Sequence, residues 1–232
     1  MISNYSTTWL SPLAASVGLF LCPLALSAQT AAPASATKEA KQTLSVLSAK
    51  KINSTRIDLT LSEGRQMSVD FYGPDIFRIF RDDEGGEMRQ PKAKPQAQIL
   101  VNQPRKEVKT LKLTDTDGKI VILTEKVQLE FNKASSLLKL VRLSDGKVLV
   151  NQLAAPTIGK KEVSLTFDSL ENEYFFGGGV QNGRFSHRGK SIAIENQNSW
   201  TDGGVASPNP YYWSTRGYGV MWYTFKKGRY DF

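Results

Sequence analysis

The stretch Arg56-Ile57-Asp58-Leu59-Thr60-Leu61-Ser62-Glu63-Gly64-Arg65-Gln66-Met67-Ser68-Val69-Asp70-Phe71 decides the fold. Apolar residues occupy every second position on both sides of a Ser-Glu-Gly break, the period of a strand with one buried face. The same alternation returns at Val127, Leu129 and Phe131 and at Val163, Leu165 and Phe167. All of these are expected to be half-buried strands. Turn-formers separate them: Gly73-Pro74-Asp75, Asp82-Asp83-Glu84-Gly85-Gly86, Asp115-Thr116-Asp117-Gly118 and Ser144-Asp145-Gly146. The Asp-Gly pairs at 117–118 and 145–146 suit hairpins, whose central residues need φ > 0. No window of helical period competes. The pattern predicts an all-β chain folded as an antiparallel β-sandwich.

Upstream of the strands, Leu10 to Ala28 is an apolar run without a charged residue, expected to be a signal-peptide core and removed. Pro12, Gly18 and Pro23 interrupt it and no basic cluster follows, which argues against a membrane anchor. The expected organisation is therefore a signal peptide over 1–28, a flexible Ala/Ser/Thr/Pro-rich linker over 29–41 and a β domain over 42–232. An exported protein, periplasmic or secreted and bacterial, is implied, with no membrane attachment after cleavage. Cys22 is the only cysteine, so the mature chain has no thiol for disulfides, metal sites or nucleophilic catalysis.

The formal net charge is +8 and the isoelectric point about 9.5, values that permit nucleic-acid binding. The basic residues between Lys38 and Lys161 are nevertheless spread along strands and turns, without aromatic residues gathered among them. A solvated face is expected, and no nucleic-acid partner.

Composition changes after Glu173. Of the 23 aromatic residues, 14 lie between Tyr174 and Phe232, among Asn, Gln and Gly. A sugar offers an apolar C–H face for Trp or Tyr and a rim of hydroxyls for amides and carboxylates. This composition suits a sugar site, although aromatics of a β domain are more often core. A long loop is expected from Asn196 to Asn209.

Several motifs point to less than they suggest. Asp115-Thr116-Asp117-Gly118 opens like a calcium loop, but Lys126 stands where the closing Glu belongs. Gly177-Gly178-Gly179 lacks the Lys-Ser/Thr of a phosphate loop and reads as a bulge or a close backbone approach. His187, the sole histidine, is flanked by Arg184, Arg188 and Lys190; it is expected to be a surface or loop hydrogen-bonding residue without a catalytic part. No metal or organic cofactor is expected.

Glu173-Tyr174-Phe175-Phe176-Gly177-Gly178-Gly179, followed by Tyr211-Tyr212-Trp213-Ser214-Thr215-Arg216-Gly217-Tyr218-Gly219-Val220, resembles the N-terminal, galactose-mutarotase-like β-sandwich of glycoside hydrolase family 31. That family has a YGLGE-like strand, a loop with Asn and Asp, and a PF..S..GYG strand; Pro74-Asp75-Ile76-Phe77-Arg78-Ile79 is similar to its P.IFRV strand. The resemblance covers about residues 50 to 232. Gly178-Gly179 depart from the Leu-Gly-Glu continuation, which leaves an α-glucoside, an α-galactoside or an α-linked N-acetylhexosamine equally open as substrate.

What the resemblance implies is a retaining α-glycosidase whose two catalytic aspartates lie on a (β/α)₈ barrel outside this chain. Trp200-Thr201-Asp202 imitates half of the family's W-x-D-x-N-E nucleophile motif, but Gly203-Gly204 follow. The chain itself is expected to be a fragment without activity, cut short before the barrel, its partner. By the same resemblance, a loop of this domain reaches the barrel mouth, with Asp202 as hydroxyl acceptor, Trp200 as stacking wall and Asn198 as amide contact. The alternative, that this loop only packs on the barrel, stays open. Two rival functions remain: a stand-alone carbohydrate-binding module and a basic nucleic-acid-binding domain.

Overall fold

The computed structural model describes residues 43–82, 106–158, 163–223 and 226–232. The signal peptide and linker expected over 1–41 lie outside the described residues, as do Asp83 to Gly86 of one expected turn. Strands β1 (Val46–Lys51), β2 (Arg56–Leu61), β3 (Gln66–Gly73) and β4 (Ile76–Asp82) form a four-stranded antiparallel sheet in chain order. A six-stranded antiparallel sheet follows, made of β5 (Lys112–Asp115), β6 (Lys119–Leu123), β7 (Val127–Asn132), β8 (Leu138–Arg142), β9 (Val148–Ile158) and β10 (Val163–Phe167).

The alternating residues of both sheets meet in one cluster. Ile57, Leu59, Leu61, Val69 and Phe71 of the first pack with Ile120, Ile122, Leu129, Phe131 and Leu140 of the second. Two antiparallel sheets sharing one apolar interior is the arrangement consistent with a β-sandwich.

Turn chemistry accounts for the registers. In the three-residue connection Ser62–Gly64, closed by Leu61 N donating to Arg65 O (2.9 Å), Glu63 (φ 58°) and Gly64 (φ 68°) are both left-handed. Gly146 is left-handed as expected (φ 68°). Gly118 is not among the positive-φ glycines, and the β5–β6 turn is closed differently. The Thr116 hydroxyl donates to Lys119 O (2.9 Å) and accepts from Lys119 N (3.3 Å), so a side chain supplies what backbone conformation was expected to supply.

β10 also departs from expectation. Val163 and Leu165 are exposed, and of the three expected buried residues only Phe167 packs against the core. β10 lies at the end of its sheet, and two register shifts against β9 tilt its apolar row away from the interior.

The remaining strands form a second region: β11 (Phe175–Gln181), β13 (Val205–Ser214) and β14 (Tyr218–Met221) in one sheet, and β12 (Ser191–Ile194) with β15 (Gly228–Asp231) in another. Phe175, Ile192, Ile194, Tyr212 and Tyr230 form its core. Tyr218 packs against both apolar clusters. The expected loop from Asn196 to Asn209 ends earlier, because Val205 to Asn209 belong to β13. Pro208 is accommodated there opposite Gly179, beside the irregularity in β11.

Leu129 is fully buried at the centre of the larger sheet. Leu129→Ala is expected to cost about 3 kcal/mol, read as a lower denaturation midpoint in urea with an unchanged slope.

Candidate functional site

The triple glycine is a backbone device. Gly177, Gly178 and Gly179 have φ of 108°, 75° and 81°, where side chains are strained. A Cβ would lie 2.6 Å from Tyr211 O at Gly177 and 2.1 Å from Ser207 O at Gly179. β13 therefore runs against β11 at a separation only glycine permits, and the register skips between Gly177 and Gly179.

Two side chains fasten this bulge. Gln181 Nε2 donates to Gly178 O and to Ala193 O, both at 3.0 Å. His187 Nε2 donates to Gly177 O (2.9 Å), which places the ring hydrogen on that nitrogen. His187 is thus buried rather than on the surface, with its ring stacked 6.0 Å from Phe232. The expectation of a loop hydrogen-bonding residue is met; the surface alternative is corrected, because His187 N donates to Phe175 O (2.9 Å) and the ring lies against Phe232.

Beyond the bulge, Gln181 to Arg184 supports the loop from Glu195 to Gly204. Asn182 N donates to Gly204 O (3.0 Å), Gly203 N to Asn182 O (3.0 Å), Asn182 Nδ2 to Ser199 O (2.7 Å) and Arg184 Nη2 to Gly203 O (3.2 Å). Within the loop, Asn198 N donates to Asn196 Oδ1 (3.0 Å) and Gly204 N to Thr201 O (2.9 Å). Gly183 is bare where a Cβ would stand 3.0 Å from Asp202 Oδ1.

Asn198, Trp200 and Asp202 all lie exposed on this one loop, with Trp200 75 % exposed and Asn198 left-handed (φ 46°). Chemically the loop offers an apolar ring, a carboxylate and an amide to solvent. The best-formed hollows lie elsewhere. One of about 220 Å³ sits between Ser169, Glu173, Phe175, Arg188 and Phe232, and a shallow one of about 580 Å³ lies by Lys119, Asn132 and Lys139.

The aromatic-rich segment divides into an inward and an outward set. Phe175, Tyr212, Tyr218, Tyr230 and Phe232 are packed ring against ring, and burial raises the phenols of Tyr212, Tyr218 and Tyr230 far above the ordinary tyrosine range. Outward, Trp213 stacks on Phe176 (4.4 Å), Phe176 meets Phe185 (5.6 Å), and Tyr211 covers Gly219.

A buried charge cluster went unassigned in the sequence reading. Arg216 donates from Nε to Val148 O (2.8 Å) and from Nη1 to Asp168 Oδ1 (2.9 Å), and pairs with Glu173 Oε2 at 3.7 Å. Glu173 also accepts from the Ser214 hydroxyl and from Leu170 N (3.1 Å). Glu173 borders the hollow beside Ser169 and Phe232, but both carboxylates are engaged by the Arg216 guanidinium instead of standing as a free acid and nucleophile on either side of a bond. Among the described residues no three His, Cys, Asp or Glu side chains converge as a metal-ligating group.

A sequence profile of the glycosyl hydrolase 31 N-terminal galactose mutarotase-like domain matches residues 66–231. The chain belongs to glycoside hydrolase family 31. No curated protein sequence matches it. Among solved structures it resembles a family-31 dextranase of Flavobacterium johnsoniae complexed with isomaltotriose (TM-score 0.70, 16 % identity) over 82 % of this chain and 23 % of that one. It also resembles the cycloalternan-forming enzyme of Listeria monocytogenes complexed with a pentasaccharide substrate (0.58, 19 %, 76 % and 17 %). A family-31 α-xylosidase of Xanthomonas citri is similar too (0.52, 18 %, 72 % and 18 %). The chain thus spans less than a quarter of the length of these enzymes. It corresponds to their N-terminal domain, and the catalytic barrel is not within it.

Arg216→Met is expected to strand the buried Glu173 carboxylate and to cost about 3–5 kcal/mol in thermal denaturation. Asp168, more exposed than Glu173, tolerates the change to Asn at smaller cost.

Proposed function

We propose that this family-31 domain is the front of an exported bacterial retaining α-glycosidase and completes that enzyme's sugar pocket without itself hydrolysing substrate. The observation that carries the reading is the loop bearing Asn198, Trp200 and Asp202. An exposed tryptophan with a carboxylate and an amide on the same loop suits a non-reducing sugar: the ring takes the C–H face and the polar pair the hydroxyls. The saccharides bound to two of the solved relatives support a carbohydrate ligand.

In the parent enzyme two carboxylates about 5 Å apart on the barrel carry out covalent double displacement, with no metal or organic cofactor. This domain's part is to hold the sugar and to brace the barrel. The outward aromatics Phe176, Phe185, Tyr211 and Trp213 suit the bracing, since a contiguous apolar face marks an interface. Export follows from the Leu10 to Ala28 run. Against a nucleic-acid role, four cations of the larger sheet and its turns pair with carboxylates: Lys119 with Glu130, Lys126 with Asp75, Lys133 with Asp115 and Arg142 with Asp145.

A stand-alone carbohydrate-binding module is the second reading, favoured by a loop that this chain alone already fastens at both ends. In the full-length parent, Trp200→Ala and Asp202→Ala are each expected to lower kcat/KM by about 10- to 100-fold with little change in Tm. Unchanged kinetics in both would remove the site assignment. Sugar retention by the isolated chain, with no reading frame for a barrel beyond Phe232, would favour the module.

A further inference from the structure

The loop from Glu195 to Gly204 displays its three candidate contacts without a large buried side chain of its own. Its conformation therefore rests on hydrogen bonds, and Asn182 makes three of them. Two use backbone atoms and fix only the Gly203-Gly204 stem. The third differs. Asn182 Nδ2 crosses the base of the loop to Ser199 O at 2.7 Å, one residue before Trp200.

Ser199 N donates to Val205 O (3.2 Å) and closes residues 199–205 with Trp200, Thr201 and Asp202 at the tip, and the three Asn182 bonds fasten this closed loop to the end of β11. The contact is side chain to backbone between residues 17 apart. It needs a short planar donor, which limits the residue types able to make it. The Gly177–Gly179 bulge, fastened by Gln181 and His187, aims Asn182 at the loop, and Gly183 leaves room for Asp202.

We propose that Asn182 is the positioning residue of the Trp200-Asp202 loop, fastening it through Ser199 to the end of β11 so that ring and carboxylate keep one pose on the domain. The role in sugar recognition rests on the reading of that loop given above; the positioning itself does not. Asn182→Asp keeps the shape, removes the donor and sets a carboxylate against a carbonyl, so it isolates the hydrogen bond from packing.

Hydrogen exchange followed by mass spectrometry on the 232-residue chain provides the test. Residues 198–204 are expected to exchange about tenfold faster in Asn182→Asp and Asn182→Ala, the loss of one part-buried hydrogen bond. Strands β6 to β8 are expected to exchange as in the unmodified chain. Unchanged loop exchange in both variants overturns the proposal. In the unmodified chain the Asn182 side-chain amide protons are expected to show NOEs to Ser199 and Trp200, and their absence overturns it without any variant having to fold.

Kinetics of the full-length parent separate this inference from the sugar reading. A rise in KM with little change in kcat for Asn182→Asp, matching Trp200→Ala, supports both. Faster loop exchange in Asn182→Asp, with Trp200→Ala kinetically silent, keeps the positioning role and removes the sugar role. A kinetic defect in Trp200→Ala, with exchange and KM unchanged in Asn182→Asp, removes the positioning role alone.

Discussion

The guanidinium of Arg216 ties together parts of the chain that otherwise share little apolar contact. Its side chain is 4 % exposed and reaches the carbonyl of Val148 at the start of β9, Asp168 after β10 and Glu173 before β11. Leaving water costs such a group several kcal/mol, which is repaid only where its donors find well-placed acceptors. The requirement is directional in a way that hydrophobic contact is not. It fixes where the β13–β14 turn lies against the larger sheet, while Tyr218 packs into both cores. The pair is an argument for a unique geometry more than for great stability.

β11 begins two residues after Glu173. Three consecutive left-handed glycines let β13 approach to a distance that any side chain would block, and the skipped register re-aims everything after Gly179. Without the bulge, strand alternation would carry the Gln181 to Arg184 segment along the sheet instead of beneath the Trp200 loop. Gln181 and His187 satisfy the carbonyls that the bulge leaves unpaired in the ladder. Local backbone cost thus coincides with the segment that supports the candidate site.

The legible parts of the sequence were those governed by short-range periodicity. Alternation at Ile57, Leu59 and Leu61 located a buried strand because both neighbours of β2 are in place. The same alternation misled at Val163 and Leu165, since period two identifies a face but not what covers it. Ser62-Glu63-Gly64 was readable as a turn, whereas the closure of the β5–β6 turn by the Thr116 hydroxyl was a choice between two equally suitable local chemistries. Glu173 and Arg216 were invisible as a pair. Ion pairs between residues 43 and 48 positions apart leave no local mark, and an Arg in a Ser-Thr-Arg-Gly turn reads as solvated. The candidate residues Asn198, Trp200 and Asp202 came from resemblance. Asn182 carries no local mark of its reach, since its partner Ser199 lies 17 residues away.

The division of the aromatic residues bears on what this domain is for. Six aromatic side chains, Phe175, Tyr212, Tyr218, Trp222, Tyr230 and Phe232, form or pack against the second core, and their number follows from size: a small sheet pair needs large side chains to exclude water. The outward rings have no such reason. Phe185 is 88 % exposed yet among the described aromatics meets only Phe176, and Phe176 also stacks with Trp213. An exposed row of rings lowers solubility and adds little to the fold, so its physical logic is contact with something outside these residues. Trp200 stands apart from that row, on a loop fixed by polar bonds instead of apolar packing. A surface meant only to be buried needs no carboxylate on the same loop as its ring and no clamp on its pose. The row suits a broad protein contact, and the loop suits a small polar ligand that must be met in one orientation.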